Sequence, residues 1–105
     1  MAQFDVYSNM NQNTKNIYPY IMDVQSSLLD GIETRLVIPL IPKVQLSEKP
    51  IRNLIPCITI NNNEYYVLTP QLASINKKHL GKYVENCKNE RNAIISSIDF
   101  LITGF

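Results

Sequence analysis

The sequence predicts a mainly β fold with one C-terminal α-helix, in which a small, twisted, partly open antiparallel barrel carries the helix across it. Three observations support this fold class. Segments rich in β-branched and aromatic residues are short and are separated by Asn-rich or Pro-containing turns. Strands do not alternate with helices, which argues against a parallel sheet. The last quarter of the chain has helical apolar spacing, with no Pro or Gly before Gly104.

The strands are predicted along the first three quarters of the chain. They cover residues 1–7, 17–24, 33–41, 54–60 and 64–68, and residues 69–75 extend or bend the last of them. Alternation makes the first strand half-buried, with Phe4 and Val6 on its inner side. Pro19 limits the second strand to an edge or a late start. Residues 61–63, all Asn, predict a tight hairpin turn, because Asn tolerates a positive φ angle. Residues 25–31, 42–50 and 76–81 are predicted connectors.

Residues 82–105 predict one helix of about 21 residues, roughly 30 Å long. Its apolar residues fall on one stripe at steps of three and four. They are Val84, Cys87, Ile94, Ile95, Ile98, Leu101 and Ile102. The end is unusually apolar for a terminus, with Phe100 off the stripe and Phe105 last. Two readings stay open: a surface for a partner, or a Gly104 C-cap with Phe105 as its hydrophobic contact.

Composition restricts the classes of protein that the chain can be. With 105 residues, a single domain over 1–105 is expected. The net charge of +1 comes without a basic run, so a footprint for DNA phosphates is missing. No signal peptide and no apolar window long enough for a membrane span is visible. We therefore expect a cytoplasmic protein with Cys57 and Cys87 reduced, no membrane contact, and no direct nucleic-acid binding by this chain alone.

Residues typical of catalysis are scattered. His79 is the one histidine and lies in a polar stretch, so a solvated loop position is expected. The two cysteines have no second His, and a zinc site therefore lacks ligands. The three glycines form no phosphate-binding loop. We expect no catalytic residue, no metal and no cofactor. For the adjacent Leu28 and Leu29, the plain expectation is that both cover the edge of the core; for Asp99 it is exposure, with a polar contact to a partner as the alternative.

Several stretches together resemble the CcdB toxins of toxin–antitoxin modules. They are QFDVY at residues 3–7, DVQSSLLD at 23–30, RLVIPL at 35–40, LASI at 72–75 and IDFLITGF at 98–105. The resemblance covers nearly the whole chain in the same order. The DVQS segment with its two apolar residues and the VIPL strand are specific as a pair, whereas either alone is weak.

The resemblance implies a fold and a function. CcdB toxins are cytosolic homodimers with an SH3-like barrel, the CcdB/MazF-like toxin fold, and a long C-terminal helix. They are not enzymes. They bind the A subunit of DNA gyrase and trap gyrase with its DNA cleaved. A CcdA-type antitoxin wraps the toxin with a disordered segment and removes it from gyrase. The toxin–antitoxin complex also represses its own operon, and the antitoxin supplies the DNA contacts.

Carried over to this sequence, the gyrase-facing positions are the apolar pair after DVQS and the end of the helix. They are Leu28, Leu29, Asp99, Ile102, Thr103, Gly104 and Phe105. The family pattern has Trp at Thr103, Asn at Asp99 and Ile at Phe105. A Trp could stack on a target Arg with up to ~2 kcal/mol when desolvated, which Thr103 cannot do.

Two other hypotheses stay open. The changes at Thr103 and Asp99 motivate the first: a protein of this fold that no longer binds gyrase and acts as an antitoxin-bound corepressor. The second is an SH3-like ribonuclease of the related toxin superfamily. It would need an acid/base cluster supported by His79 or Arg35.

Overall fold

The computed structural model describes residues 2–104. Within them, seven antiparallel strands form one curled sheet, and a single helix follows. The strands are β1 (Asp5–Asn9), β2 (Tyr20–Asp23), β3 (Thr34–Pro42), β4 (Cys57–Ile60), β5 (Asn63–Val67), β6 (Ala73–Asn76) and β7 (Leu80–Asn86), and the helix is α1 (Arg91–Thr103). The predicted fold class is confirmed as a partly open antiparallel barrel with one C-terminal helix.

The long strand β3 organises the sheet. The order is β4-β5-β3-β2-β1-β7, and β6 also pairs with β3. One edge of β3 pairs with β2. The other edge is shared, because Thr34–Val37 pair with β6 and Leu40–Pro42 pair with β5. A strand that serves two partners in succession along one edge bends the sheet into the curl.

Turn chemistry sets where the strands begin and end. Asn61 and Asn62 have φ angles of 51° and 68°, which confirms the predicted tight turn between β4 and β5. The β2 strand starts at Tyr20, directly after Pro19, so the late start is confirmed. The β4 strand starts directly after Pro56. In both cases the strand is shorter than the apolar run predicted, because Pro lacks the N–H that a ladder needs.

The core lies between the concave face of the sheet and α1. Its fully buried side chains come from five strands and the helix: Val6, Met22, Ile38, Leu40, Ile60, Val67 and Ile94. The helix is fixed by Ile94 and by Ser97, whose hydroxyl lies 2.9 Å from the Thr69 hydroxyl. Ile95 and Ile98 pack against the same core. The middle of α1 therefore packs against the core, whereas its last turn does not.

The helix predicted over residues 82–105 is wrong at its start. Residues Leu80–Asn86 form β7, which pairs antiparallel with β1, and α1 has 13 residues. The ladder contains two register shifts, so strict alternation is lost along β7. The spacing of Val84 and Cys87 consequently fits a helix and an irregular strand equally well. The predicted connector at 76–81 leads through the 3₁₀ turn Lys77–His79 into this strand.

The strand predicted over residues 1–7 is wrong at its start, because β1 begins at Asp5 and Phe4 precedes it with a φ angle of 72°. The first strand is also buried on both faces, whereas alternation predicted only one. Phe4 and Val6 enter the core as expected, but Asp5 and Tyr7 are buried too. The Asp5 carboxylate accepts hydrogen bonds from the Tyr7 hydroxyl at 3.1 Å and from Asn86 Nδ2 at 2.9 Å. Burial first, and then the neighbouring Asp5 carboxylate, raise the pKa of the Tyr7 phenol. β7 makes this possible by pairing along the edge of β1, where Asn86 bonds to Asp5 and the Tyr83 ring packs edge-on against Tyr7.

Candidate functional site

The segment after β2 presents two leucines on a short 3₁₀ turn, Ser27–Leu29. The hydroxyl of Ser26 accepts a hydrogen bond from the Leu28 amide at 3.2 Å and begins the turn. The Leu28 side chain is 94% exposed and that of Leu29 is 47% exposed. The expectation that both leucines cover the edge of the core is therefore wrong. Leu28 in particular buries almost none of its surface in this fold and is available to a partner.

Beneath this turn lies a buried ion pair. The Arg35 Nε donates to Asp23 Oδ2 at 2.8 Å, and both side chains are fully buried. Burial raises the pKa of the Asp23 carboxyl, while the hydrogen bond from Arg35 acts in the opposite direction. Within residues 2–104, every buried side-chain nitrogen and oxygen has a hydrogen-bond partner. The ribonuclease hypothesis invoked Arg35 as support for an acid/base cluster, but its burial inside the fold keeps it from any substrate in solvent.

The second group of candidate residues lies at the end of α1. Gly104 has a φ angle of +78° and its N–H donates to the Phe100 carbonyl at 2.9 Å, which is an αL C-cap. The Ile102 side chain is 73% exposed. The αL C-cap predicted at Gly104 is confirmed, and the same tip is an exposed apolar surface. Phe105 lies outside the described residues.

Two polar residues complete the helix tip. Asp99 is exposed, as its plain reading expected. The Thr103 hydroxyl donates to the Asp99 carbonyl oxygen at 2.7 Å, so it bonds back to its own helix. The structure thus gathers Asp99, Ile102, Thr103 and Gly104 in one helical turn and Leu28 with Leu29 in another element. We call these two surfaces the helix tip and the leucine turn.

A groove that the sequence did not predict lies on the face of β2 and β3 that points away from the core. It encloses about 470 Å³. Its floor is apolar and its rim polar: Ile21, Val37, Pro39, Ala73 and Ile75, with Asn9, Asn11, Thr14, Tyr18, Gln71 and His79 around them. Apolar residues at consecutive positions of the third predicted strand were the available signal, since they require cover on both faces. His79 is exposed at the rim, and no Asp, Glu, Lys or Arg lines the groove.

The described residues carry few of the features that hold ions or cross membranes. Residues 2–104 contain no group of three or more His, Cys, Asp or Glu placed to hold a metal ion. Over the same residues, no helix is long and apolar enough to span a membrane. Cys57 is exposed and Cys87 is buried, and both are free thiols.

Comparison with known proteins then decides the family. The family model described as CcdB protein matches residues 3–104. The chain belongs to the CcdB family. Membership places it among the toxins of toxin–antitoxin modules. The match spans both the leucine turn and the helix tip, so the surfaces described above lie within the region that defines the family.

A solved structure has the same fold as this CcdB-family chain at low sequence identity. It is described as an endoribonuclease in complex with its cognate antitoxin from a mycobacterial species. The TM-score is 0.72 at 11% identity, and the alignment covers 97% of this chain and 94% of that one. Identity at this level shows a shared fold, and the two proteins' chemistry is a separate matter.

Proposed function

We propose that this chain is a gyrase poison, which binds the A subunit of DNA gyrase and traps the enzyme with its DNA cleaved. The observation that carries the proposal is the exposure of Leu28 and Ile102, apolar side chains at the positions that the CcdB resemblance assigns to gyrase contact. Neither side chain has a folding role in the described structure. The chain acts by binding and performs no catalysis, and it works in the cytoplasm.

The proposed active form is a homodimer. One chain presents the helix tip and the leucine turn on separate elements, and two copies related by a twofold axis would present each of them twice. Such a symmetric pair suits a target that is itself dimeric. Light scattering on the purified protein checks this point: a mass of twice the 12.0 kDa chain is expected, and a monomer at assay concentration would contradict it.

We further propose that a CcdA-type antitoxin neutralises the chain and acts with it in operon repression. The solved structure with the same fold is itself bound to a cognate antitoxin, and the family acts in toxin–antitoxin modules. The net charge of +1 gives this chain little attraction for DNA phosphates. In the proposed complex, the antitoxin therefore provides the DNA contacts.

A cleavage assay with purified gyrase and matched surface variants tests the proposal. The wild-type protein should convert supercoiled plasmid to gyrase-linked linear DNA. Leu28→Ser should weaken this effect strongly while leaving the melting temperature unchanged, because truncating an exposed side chain costs within about 0.5 kcal/mol of stability. Val44 is also 94% exposed, but lies on the 3₁₀ turn Lys43–Gln45. Val44→Ser is the control and should trap gyrase like wild type. Equal trapping by Leu28→Ser and wild type would contradict the proposal.

The corepressor hypothesis is the second candidate, and one contact favours it. Thr103 has no aromatic ring to stack on the target, and its hydroxyl is engaged with the Asp99 carbonyl of its own helix. Absence of trapped cleavage complexes, together with tight operator binding by the toxin–antitoxin pair, would favour this alternative. The ribonuclease hypothesis has weaker support, because Arg35 is buried beside Asp23 and His79 has no charged neighbour lining the groove. RNA cleavage lost in His79→Ala would be needed to revive it.

A further inference from the structure

The leucine turn is exposed, yet a fully buried guanidinium lies directly beneath it. Besides its 2.8 Å contact with Asp23, the Arg35 side chain donates from Nη1 to the Leu29 carbonyl and to Asp30 Oδ1, each at 3.4 Å. Its Nη2 donates to the Gln25 carbonyl, also at 3.4 Å. One side chain thus contacts the segment at its beginning, at its apex and at its end.

Further donors meet at the same backbone oxygen. The Leu29 carbonyl also accepts from Gln25 Nε2 at 3.3 Å and from the Ile32 amide at 3.1 Å. The Gln25 Oε1 in turn accepts from the Leu36 amide at 3.0 Å, which ties the segment to β3. The Leu29 carbonyl is therefore the point where the turn is attached to the interior.

Apolar packing cannot hold this turn in place, because none of Ser27–Leu29 is buried. An exposed turn with few apolar contacts opens easily unless polar contacts hold it. Burying an arginine is costly and is tolerated where the charge is paired and hydrogen-bonded. Here Asp23 pairs the charge, and the other three hydrogen bonds of Arg35 go to Gln25, Leu29 and Asp30.

We propose that Arg35 is a positioning residue for target binding: it holds the leucine turn in the orientation that presents Leu28. The inference rests on the proposed function, since the target that Leu28 meets is gyrase. Arg35 never touches the target. It acts by keeping the binding-competent conformation populated, and apparent affinity falls in proportion to that population.

Arg35→Lys tests the inference with little change of charge. The ammonium group can still pair with Asp23, but it cannot reproduce the planar fork that reaches two carbonyls. In the free protein, backbone ¹⁵N order parameters at Leu28 and Leu29 should fall from about 0.85 to below about 0.6. Arg52→Lys, at an exposed site, is the control and should leave them unchanged. Unchanged order parameters in Arg35→Lys would overturn the inference whether or not gyrase binds.

A second variant covers the case in which Arg35→Lys does not fold. Gln25→Glu keeps the oxygen that accepts from the Leu36 amide and replaces the Nε2 donor facing the Leu29 carbonyl with a second oxygen. Gln25 is only half-buried, so the fold should survive. The order parameters at the turn should drop in the same way. A rigid turn in a folded Gln25→Glu protein would contradict the idea that these donors hold it.

Gyrase affinity then separates positioning from a general loss of structure. We expect Arg35→Lys to bind roughly tenfold more weakly if one molecule in ten keeps the competent turn. In a protein that already carries Leu28→Ala, Arg35→Lys should weaken gyrase binding by less than about twofold more, because the contact that Arg35 positions is already lost. In a protein that already carries Ile102→Ala at the helix tip, Arg35→Lys should again weaken gyrase binding by the full factor of roughly ten. If Arg35→Lys weakens gyrase binding by the same factor in the Leu28→Ala and Ile102→Ala backgrounds, the defect is global and the inference is overturned. If wild type binds no gyrase, the proposed function fails, while the order parameters still decide the role of Arg35.

Discussion

Gly104→Glu should abolish gyrase trapping and leave the fold intact. The φ angle of Gly104 is +78°, and a Cβ at this position would have no heavy atom within 4 Å. The cost to folding is therefore the left-handed backbone alone, about 1–2 kcal/mol for a residue with a side chain. In a domain of this size, each kcal/mol lowers the melting temperature by roughly 4–8 °C. Gly104→Asn is the conformational control, since Asn tolerates this φ angle better and adds no charge.

The effect on binding should be much larger than the effect on stability. An uncompensated carboxylate in an apolar contact costs about 3–5 kcal/mol, which is at least about a hundredfold in affinity. Isothermal titration with a fragment of the gyrase A subunit, and the plasmid cleavage assay, measure it. Circular dichroism and a thermal melt establish that the variant is folded. A folded Gly104→Glu protein that traps cleaved DNA at wild-type concentrations would refute the assignment of the helix tip as the gyrase contact.

Four further predictions concern the fold and its two thiols. A Cβ at Gly81 would meet Ser8 Oγ, and the Ser8 carbonyl oxygen at 2.7 Å, so Gly81→Ala should lower the unfolding free energy by about 1–3 kcal/mol in urea titrations. Ser97→Ala removes the buried hydrogen bond between the Ser97 and Thr69 hydroxyls, which lie 2.9 Å apart, and should lower the unfolding free energy by about 1 kcal/mol in the same titrations. At pH 8, Ellman's reagent should modify exposed Cys57 and spare Cys87, whose pKa burial raises to about 11. The Cys87 thiol ionises at a lower pH in the unfolded chain than in the folded protein. The unfolding free energy from urea titrations should therefore fall as the pH rises from about 9 to about 11.

Most of the strands could be predicted from the residue pattern, because the residues within each strand and its adjoining turn carry the signal. The run before Asn61 and the run after Asn62 are short, apolar and joined by residues suited to a positive φ angle. β7 could not be predicted in this way. Its partner β1 lies about eighty positions away, and register shifts in their ladder remove the alternation that would signal a strand. Tertiary pairing, which the local pattern does not encode, assigned this segment to the sheet.

Some features of the candidate site could likewise be predicted from the sequence, whereas others depend on the folded structure. The apolar character of Leu28 and of the helix tip can be read from sequence, and the family resemblance gave them a role. The helix tip is exposed because α1 stops docking on the core after Ile98. Leu28 is exposed because it lies on a 3₁₀ turn with no buried residue. The burial of Arg35 had no sequence signal, because a charged residue in a strand is expected in solvent. The groove formed by β2, β3 and β6 was missed since it requires their spatial order.

The exposure of the leucine turn and the helix tip has an evolutionary consequence. Side chains that add nothing to the interior can vary without loss of folded protein. If gyrase is the target as proposed, a lineage carrying this chain could then change its target preference through a few surface codons, while the scaffold stays under separate selection. Escape mutants that survive the toxin should accordingly still accumulate it at normal abundance.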